Sequence, residues 1–273
     1  MVLAFNSKKQ LLQFLAEDIG NGDITSALLP KKKISVRIIS RENAIVAGAH
    51  YAKEIFKLKK CRVRILKKDG SKIKPNQTIM IIIGDAGDIL TCERTALNLL
   101  TRMSGIASQT NELVKKIPKK TKLYATRKTA PGLRYFDKEA VEMGGGKKHR
   151  LRLDEMIMIK DNHIAVGDSL SFLIKKTKKK YKKFEVEVES TADAVLAAKE
   201  GATIIMLDNF SPSQIKKTIS VLKKQKLRNK VMLEASGGIN SKNISKYGQT
   251  GVDIISVGSI TNSVKGIDMS LEI

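Results

Sequence analysis

Tryptophan is absent from this 273-residue chain, aromatic residues make up 4% of it, and there are only two cysteines and three histidines. So few rings leave little to stack bases on, which argues against single-strand nucleic-acid binding as the main activity. Cys61 and Cys92 have neither metal-ligand spacing nor a partner-rich framework, so they read as structural thiols in a reducing compartment. Long apolar runs are missing too: no purely apolar stretch is longer than that of Ile79 to Ile83, against the ~20 residues a bilayer requires. The opening MVLAFNSKKQ lacks a signal-peptide layout, and the expected location is the cytoplasm. Acidic residues are scarce beside basic ones, 27 against 51, for a formal charge of +24. That charge suits nucleic acid, anionic lipid or a polyanionic small substrate and does not choose among them.

What is present is a globular composition, 42% hydrophobic and 29% charged, in a chain long enough for about two domains or one large α/β barrel. The cations divide into 40 Lys and 11 Arg. The lysine runs at 31–33 and 175–183 read as solvated surface. Six of the 11 Arg fall between Arg94 and Arg152, which concentrates in one stretch the planar donors suited to bidentate anion recognition.

Residues 7–17 have a helical apolar pattern with Ser7 as N-cap. β-type runs follow at 34–39, 44–47, 61–66 and 78–83, with a helix over 49–58, and together these predict an α+β domain. The pattern then turns helical over 85–105, with a second helix over 108–116. Beyond Pro118 the rhythm is strand, helix, strand: strands at 122–126, 155–160, 184–188, 203–207, 230–233 and 253–257 alternate with helical stretches. Short apolar strands in βα units predict a parallel sheet, and a barrel is favoured over a doubly wound open sheet. Polar residues cluster just after those strands, where such folds carry their active sites.

Thr126, Arg127 and Lys128 stand where a strand ends. Gly144-Gly145-Gly146 reads as a flexible loop leading to His149 and Arg150, and Lys160 with His163 forms a third cationic cluster. Glu185, Glu187 and Glu189 have period two and so share one face of a strand, with Asp208 at the end of the next. No His joins these carboxylates in sequence, so Mg²⁺ suits them better than Zn²⁺. Ser236-Gly237-Gly238 and Val257-Gly258-Ser259 end strands with small residues whose backbone N–H groups suit a phosphate at a helix N-terminus. Cations, carboxylates and small-residue turns together describe a phosphorylated sugar held on Mg²⁺ beside an acidic substrate.

Ten segments, in order, resemble the quinolinate phosphoribosyltransferase family: EDIGNGDIT (17–25), ERTALN (93–98), SGIA (104–107), TRKTAPGLR (126–134), GGGKKHR (144–150), IKDNHI (159–164), EVEVES (185–190), MLDNF (206–210), EASGGI (234–239) and GVDIISVGSIT (251–261). The resemblance implies an N-terminal α/β sandwich domain (1–105) and a C-terminal open α/β barrel of about six βα units (106–265). A final strand in 266–273 is expected to return to the first domain. It also implies transfer of a phosphoribosyl group from phosphoribosyl pyrophosphate to quinolinate with decarboxylation, giving nicotinate mononucleotide, pyrophosphate and CO₂ in NAD biosynthesis.

Carried over residue by residue, Arg127, His149, Arg150 and Lys160 resemble the quinolinate site, Arg94 completes it from a neighbouring subunit, Lys128 contacts the phosphoribosyl donor, and Thr126 is a further substrate-binding residue. Glu187 and Asp208 resemble the pair near the ribose hydroxyls and Mg²⁺, and with Lys160 they are the expected catalytic residues. Ser236, Gly237, Gly238, Val257, Gly258 and Ser259 resemble the 5′-phosphate cradle. Lys160 and Arg150 are expected to belong to the anion site and not to the core. The implied partners are the two small substrates and a second copy in a homodimer with a shared site, with a hexamer left open and no specific nucleic acid or membrane. Asn262 departs from the family's frequent His and Ala130 from its common Thr. Lys160 and Asp161 argue against the relatives associated with molybdenum transport. Nicotinate phosphoribosyltransferase is the alternative enzyme, and a basic nucleic-acid-binding protein the alternative of another class.

Overall fold

Helix α1 (Ser7–Ile19) is capped by Asn6 and not by Ser7: the Asn6 side chain accepts the Lys9 N–H at 3.1 Å from an extended backbone, and Ser7 already lies within the helix. The computed structural model describes residues 6–273, so residues 1–5 of the opening segment read for a signal-peptide layout lie outside the described residues. The chain forms two units, one of Met1–Gln109, Glu142–Gly144 and Val264–Ile273, the other of Thr110–Val141 and Gly145–Ser263.

In the first unit, strands β1 (Lys33–Ser40), β2 (Ala44–Ile45), helix α2 (Ala49–Leu58), β3 (Arg62–Ile65), β4 (Lys72–Ile73) and β5 (Thr78–Asp85) follow in order. The strand Met269–Glu272 pairs antiparallel with β1, β1 with β5 and β5 with β3, while the short β2 and β4 form a ribbon of their own. Apolar residues repeat at helical spacing in α2, so Tyr51, Ala52, Ile55 and Phe56 are buried together.

Helix α3 (Ala86–Val114) is continuous, where the sequence predicts two helices with a break after Gly105. Gly105 is there for close approach: a Cβ on it would lie 2.1 Å from the Lys265 carbonyl oxygen and 3.3 Å from Gly266 Cα. Alanine would gain about 1 kcal/mol of helix propensity but collide with backbone that cannot rotate aside. Gly105→Ala is therefore expected to destabilise by about 2 kcal/mol net. Urea unfolding checks this, and a stabilised variant would contradict it.

The second unit carries six parallel strands, β6 (Lys122–Tyr124), β7 (Ile157–Ile159), β8 (Phe184–Val188), β9 (Ile204–Asp208), β10 (Met232–Ser236) and β11 (Ile254–Ser256). Their order is β7-β8-β9-β10-β11-β6. From β7 to β11 each crossover steps to the next neighbour in one direction. With a common crossover hand this puts the helices on one face and curls the sheet into a barrel, as the sequence predicts. The barrel is open, because β6 and β7 are not paired. Helices α4 (Arg134–Met143), α6 (Leu170–Lys178), α7 (Thr191–Glu200), α8 (Pro212–Lys224) and α9 (Ile244–Gly248) fill the connections. Two further short helices, α5 (Asp161–Val166) and α10 (Ser259–Asn262), have no clear apolar period to announce them.

The segment after the three glycines is not a free loop. Lys147 N–H donates to the Leu123 carbonyl at 2.8 Å and Ala125 N–H to the Lys147 carbonyl at 2.9 Å, so the chain runs parallel to β6 at the open seam. The lysines of 31–33 and 175–183 are exposed. No described helix is long and apolar enough to cross a membrane.

Candidate active site

The strands end where their polar neighbours begin. β6 stops at Tyr124 and β7 at Ile159, shorter than predicted, which releases Thr126, Arg127, Lys128 and Lys160 from the ladder. A cavity of about 340 Å³ lies at these carboxyl ends, lined from the first side by Ala125, Thr126, Arg127, Lys128, His149 and Arg150. Met158, Lys160, Glu187, Met206, Asp208, Glu234, Ser236 and Ser256 complete it, every one from the barrel unit.

Cations dominate one side. Lys160 Nζ forms a short ion pair with Glu187 Oε2. Arg150 is buried, donating from Nη1 to the Met156 carbonyl at 2.8 Å, so the expectation that it stands clear of the core is corrected. Burial, followed by the nearby Arg127 charge, lowers its pKa, and Glu185 and Glu187 work the other way. A guanidinium nonetheless keeps its charge. Arg127 Nε is buried with no hydrogen-bond partner. A buried N–H left unpaired is costly unless a ligand completes it.

The three period-two glutamates share a face but not an environment. Glu185 is fully buried, Glu187 lines the cavity and Glu189 is exposed beyond the strand end. A histidine does join them, from a distant segment: His149 Nε2 lies 3.3 Å from Glu185 Oε2 and 3.4 Å from Glu234 Oε2. One N–H shared between two carboxylates aligns fully with neither, and all four carboxylate oxygens lack a hydrogen bond among the described residues. Burial alone would lower the His149 pKa, but the contacts to Glu185 and Glu234 and their charges outweigh it and push it up to about 9. Burial pushes Glu185 up as well.

His149 Nδ1, meanwhile, accepts the Arg150 N–H at 2.8 Å. That amide decides the tautomer of the free protein, since an N–H aimed at Nδ1 leaves no room for a proton there. The carboxylates' pull toward imidazolium is answered only if the amide turns away. The same contact argues against a metal ion held by His149, Glu185 and Glu234, although their ligand atoms lie within 4.8 Å of one another. A metal on Nε2 would leave Nδ1 without the proton it normally donates.

On the carboxylate side, Asp208 Oδ2 accepts from Asn209 Nδ2 at 2.6 Å, which leaves Oδ1 without a partner among the described residues. Ser236 lines the cavity, whereas Gly237, Gly238, Val257 and Gly258, on the loops after β10 and β11, and Ser259, the first residue of α10, do not line it. Gly237 has φ +90°, and a Cβ there would meet Asn209 Oδ1 at 2.1 Å, so the Asp208-Asn209 turn and the 236–238 turn pack backbone to side chain. Thr261 Oγ1 donates to the Lys128 carbonyl at 2.8 Å, tying the 257–261 turn to the cationic loop. The helix that begins there has only four residues, too few for much of a macrodipole, so an anion would rely on backbone N–H groups and Lys128.

Arg94 belongs to the other unit, on α3, and is exposed. The sequence reading placed Glu185 in a carboxylate row and Glu234 in a turn, and missed that both sit beneath His149. Met158 and Met206 were missed outright, while Ser256, which in sequence opens the small-residue turn 256–259 suited to a phosphate, lines the cavity itself. The signal for the two methionines was only the period-two alternation of short strands.

Residues 23–104 match the family model for the quinolinate phosphoribosyl transferase N-terminal domain, and residues 106–272 the one for its C-terminal domain. A probable nicotinate-nucleotide pyrophosphorylase (carboxylating) of Methanothermobacter thermautotrophicus is 42% identical over 269 residues, 96% of each chain. The nicotinate-nucleotide pyrophosphorylase (carboxylating) of Dictyostelium discoideum is 35% identical, covering 98% of this chain and 96% of its own. Among solved structures, the nicotinate-nucleotide pyrophosphorylase from Francisella tularensis superposes with a TM-score of 0.91 at 40% identity, covering 97% of this chain and 95% of that one.

Proposed function

We propose, because the chain belongs to the quinolinate phosphoribosyltransferase family, that the cavity at the barrel's strand ends is where that family's reaction takes place. The chain is a phosphoribosyltransferase of NAD biosynthesis: it joins quinolinate to phosphoribosyl pyrophosphate and gives nicotinate mononucleotide, pyrophosphate and CO₂. Neither nicotinate phosphoribosyltransferase nor a nucleic-acid-binding protein is favoured by these relationships. One observation carries the placement: Arg127, whose buried Nε has no partner among the described residues, lines the cavity together with Arg150 and Lys160.

Quinolinate is a dianion, and stripping water from two carboxylates is affordable only against fixed donors. Arg127, Arg150 and Lys160 supply those charges, and His149 lines the cavity beside them. As the ring nitrogen attacks the sugar C1, pyrophosphate departs and positive charge builds on the ribose, beside which Glu187 and Asp208 stand as fixed negative charges. Loss of the 2-carboxylate as CO₂ leaves its electron pair on ring carbon 2, next to the positive nitrogen, and Lys160 Nζ is the donor we assign to that carbon's new C–H bond. Its ion pair with Glu187 holds Nζ at the cavity wall.

Glu187 and Asp208 fit Mg²⁺: both offer oxygen, and Asp208 Oδ1 is unengaged. Mg²⁺ usually binds through one or two carboxylates together with substrate phosphates. When bound, Mg²⁺ supplies charge neutralisation for pyrophosphate oxygens. Glu187→Gln and Asp208→Asn are each expected to raise the donor KM by about 10-fold or more and to shift Mg²⁺ activation to higher concentration. Steady-state titrations of donor and metal check this, and unchanged curves would count against the placement.

The decisive assay supplies quinolinate, phosphoribosyl pyrophosphate and Mg²⁺ to folded protein and follows nicotinate mononucleotide and CO₂ together. Absence of both products would overturn this reading. A second copy of the chain is part of the proposal. Ile24 and Leu28, each 84% exposed, and the exposed Leu29 give the first unit an apolar surface, and Arg94 has no partner among the described residues. Cys61 and Cys92 are free and buried, their thiols pushed up by burial to about 11 and about 12, as suits inert thiols in a reducing cytoplasm.

A further inference from the structure

Lys138 is the least expected charge in the barrel unit. It sits on α4 among Phe136, Ala140 and Val141, is fully buried, and does not line the cavity. It makes no ion pair among the described residues. Burial pushes its pKa down to about 8; of its charged neighbours Arg134, Arg127 and Arg150 oppose the ammonium and Glu155 alone favours it. A cation buried among arginines weakens a fold, and a methionine of similar length would pack at such a position without that penalty.

What the ammonium touches explains it. Lys138 Nζ donates to the carbonyls of Lys148 and of Arg150, the residues on either side of His149. That stretch lies at the open seam of the barrel, where β6 and β7 are unpaired. On one edge it is held by β6, through Lys147 N–H to Leu123 and Ala125 N–H to Lys147. Lys147 turns its own carbonyl to β6, and the carbonyls on either side of His149 are the ones that receive the Lys138 ammonium.

We propose that Lys138 is a positioning residue for the quinolinate side of the cavity, standing in for the missing strand by clamping the two carbonyls that bracket His149. The Lys148 carbonyl belongs to the peptide entering His149 and the Arg150 carbonyl to the peptide leaving Arg150, so holding both limits how the backbone between them can turn; His149 there has a φ of +52°, in the left-handed region that costs about 1 kcal/mol for a residue with a side chain. The clamp thereby aims the His149 ring at Glu185 and Glu234 and starts Arg150 toward Met156. The inference rests on the assignment of His149 and Arg150 to the quinolinate side.

The test compares wild type with Lys138→Met and Lys138→Gln, the second keeping two N–H donors on a shorter arm. Two readouts separate the clamp from general stability. In Lys138→Met, amide hydrogen exchange of the peptide covering 145–151 is expected to quicken by about 10-fold or more while the other barrel strands keep their protection. The quinolinate KM is expected to rise by about 10-fold or more with the donor KM unchanged, and Lys138→Gln to recover part of both effects. Unchanged exchange at 145–151, or equal rises in both KM values, would overturn the proposal, as would loss of fold in both variants, which would make Lys138 a structural residue only. If wild type turns over no quinolinate, the functional reading fails instead, and the exchange measurement still decides the clamp.

Discussion

Lys160→Ala is expected to retain the fold and lose about 10³-fold in kcat/KM for quinolinate. The side chain is 36% exposed and stands on the rim, one residue past β7, so its removal opens no cavity in the core. What it leaves is an unbalanced site. Glu187, whose side chain is only 12% exposed, loses its cation and becomes a bare carboxylate beside the place assigned to a dianion. Like charge in a poorly hydrated pocket opposes binding, and the group assigned to protonate ring carbon 2 is gone as well. The double variant Lys160→Ala with Glu187→Gln should therefore bind quinolinate better than Lys160→Ala alone without regaining turnover. Thermal unfolding and steady-state kinetics check both statements. Near-wild-type kcat/KM in Lys160→Ala would remove Lys160 from the chemistry. Arg150→Ala makes an informative contrast, because the loss of its hydrogen bond to the Met156 carbonyl adds roughly 1–3 kcal/mol of destabilisation to any loss of activity.

Mixed dimers of Arg94→Ala and Lys160→Ala subunits are expected to be active although each parent dimer is not. Every residue lining the cavity comes from the barrel unit, while Arg94 is exposed on α3 in the other unit. If Arg94 serves the neighbouring subunit's cavity, a mixed dimer has one cavity with intact Lys160 and a donated intact arginine, and recovers up to about half of wild-type activity. If Arg94 serves its own subunit, every cavity keeps one lesion. Tagging the two variants differently, purifying the doubly tagged species and assaying nicotinate mononucleotide decides between them. Inactive verified mixed dimers would reject the shared site, and a fully active monomer would reject it by another route.

Helix α2 spans the predicted residues, and the six barrel strands lie within three residues of theirs, because the period of apolar residues is local: each position depends on neighbours within four residues of it. The cationic stretch from Arg94 to Arg152 and the period-two carboxylates of β8 were legible for the same reason. Depth was not. Alternation puts Glu185, Glu187 and Glu189 on one face, but only the curled sheet buries the first, sets the second in the cavity and leaves the third in water. Gly105 looks like a helix break until the backbone at 265 is seen passing it at a distance only glycine permits. His149 meets Glu185 and Glu234, and Lys138 meets the carbonyls around His149, across segments that barrel closure alone brings together. A chain's local pattern decides which residues face inward; which of them then touch depends on how the strands order themselves and where the ring stays open, and that is decided only when distant segments pack.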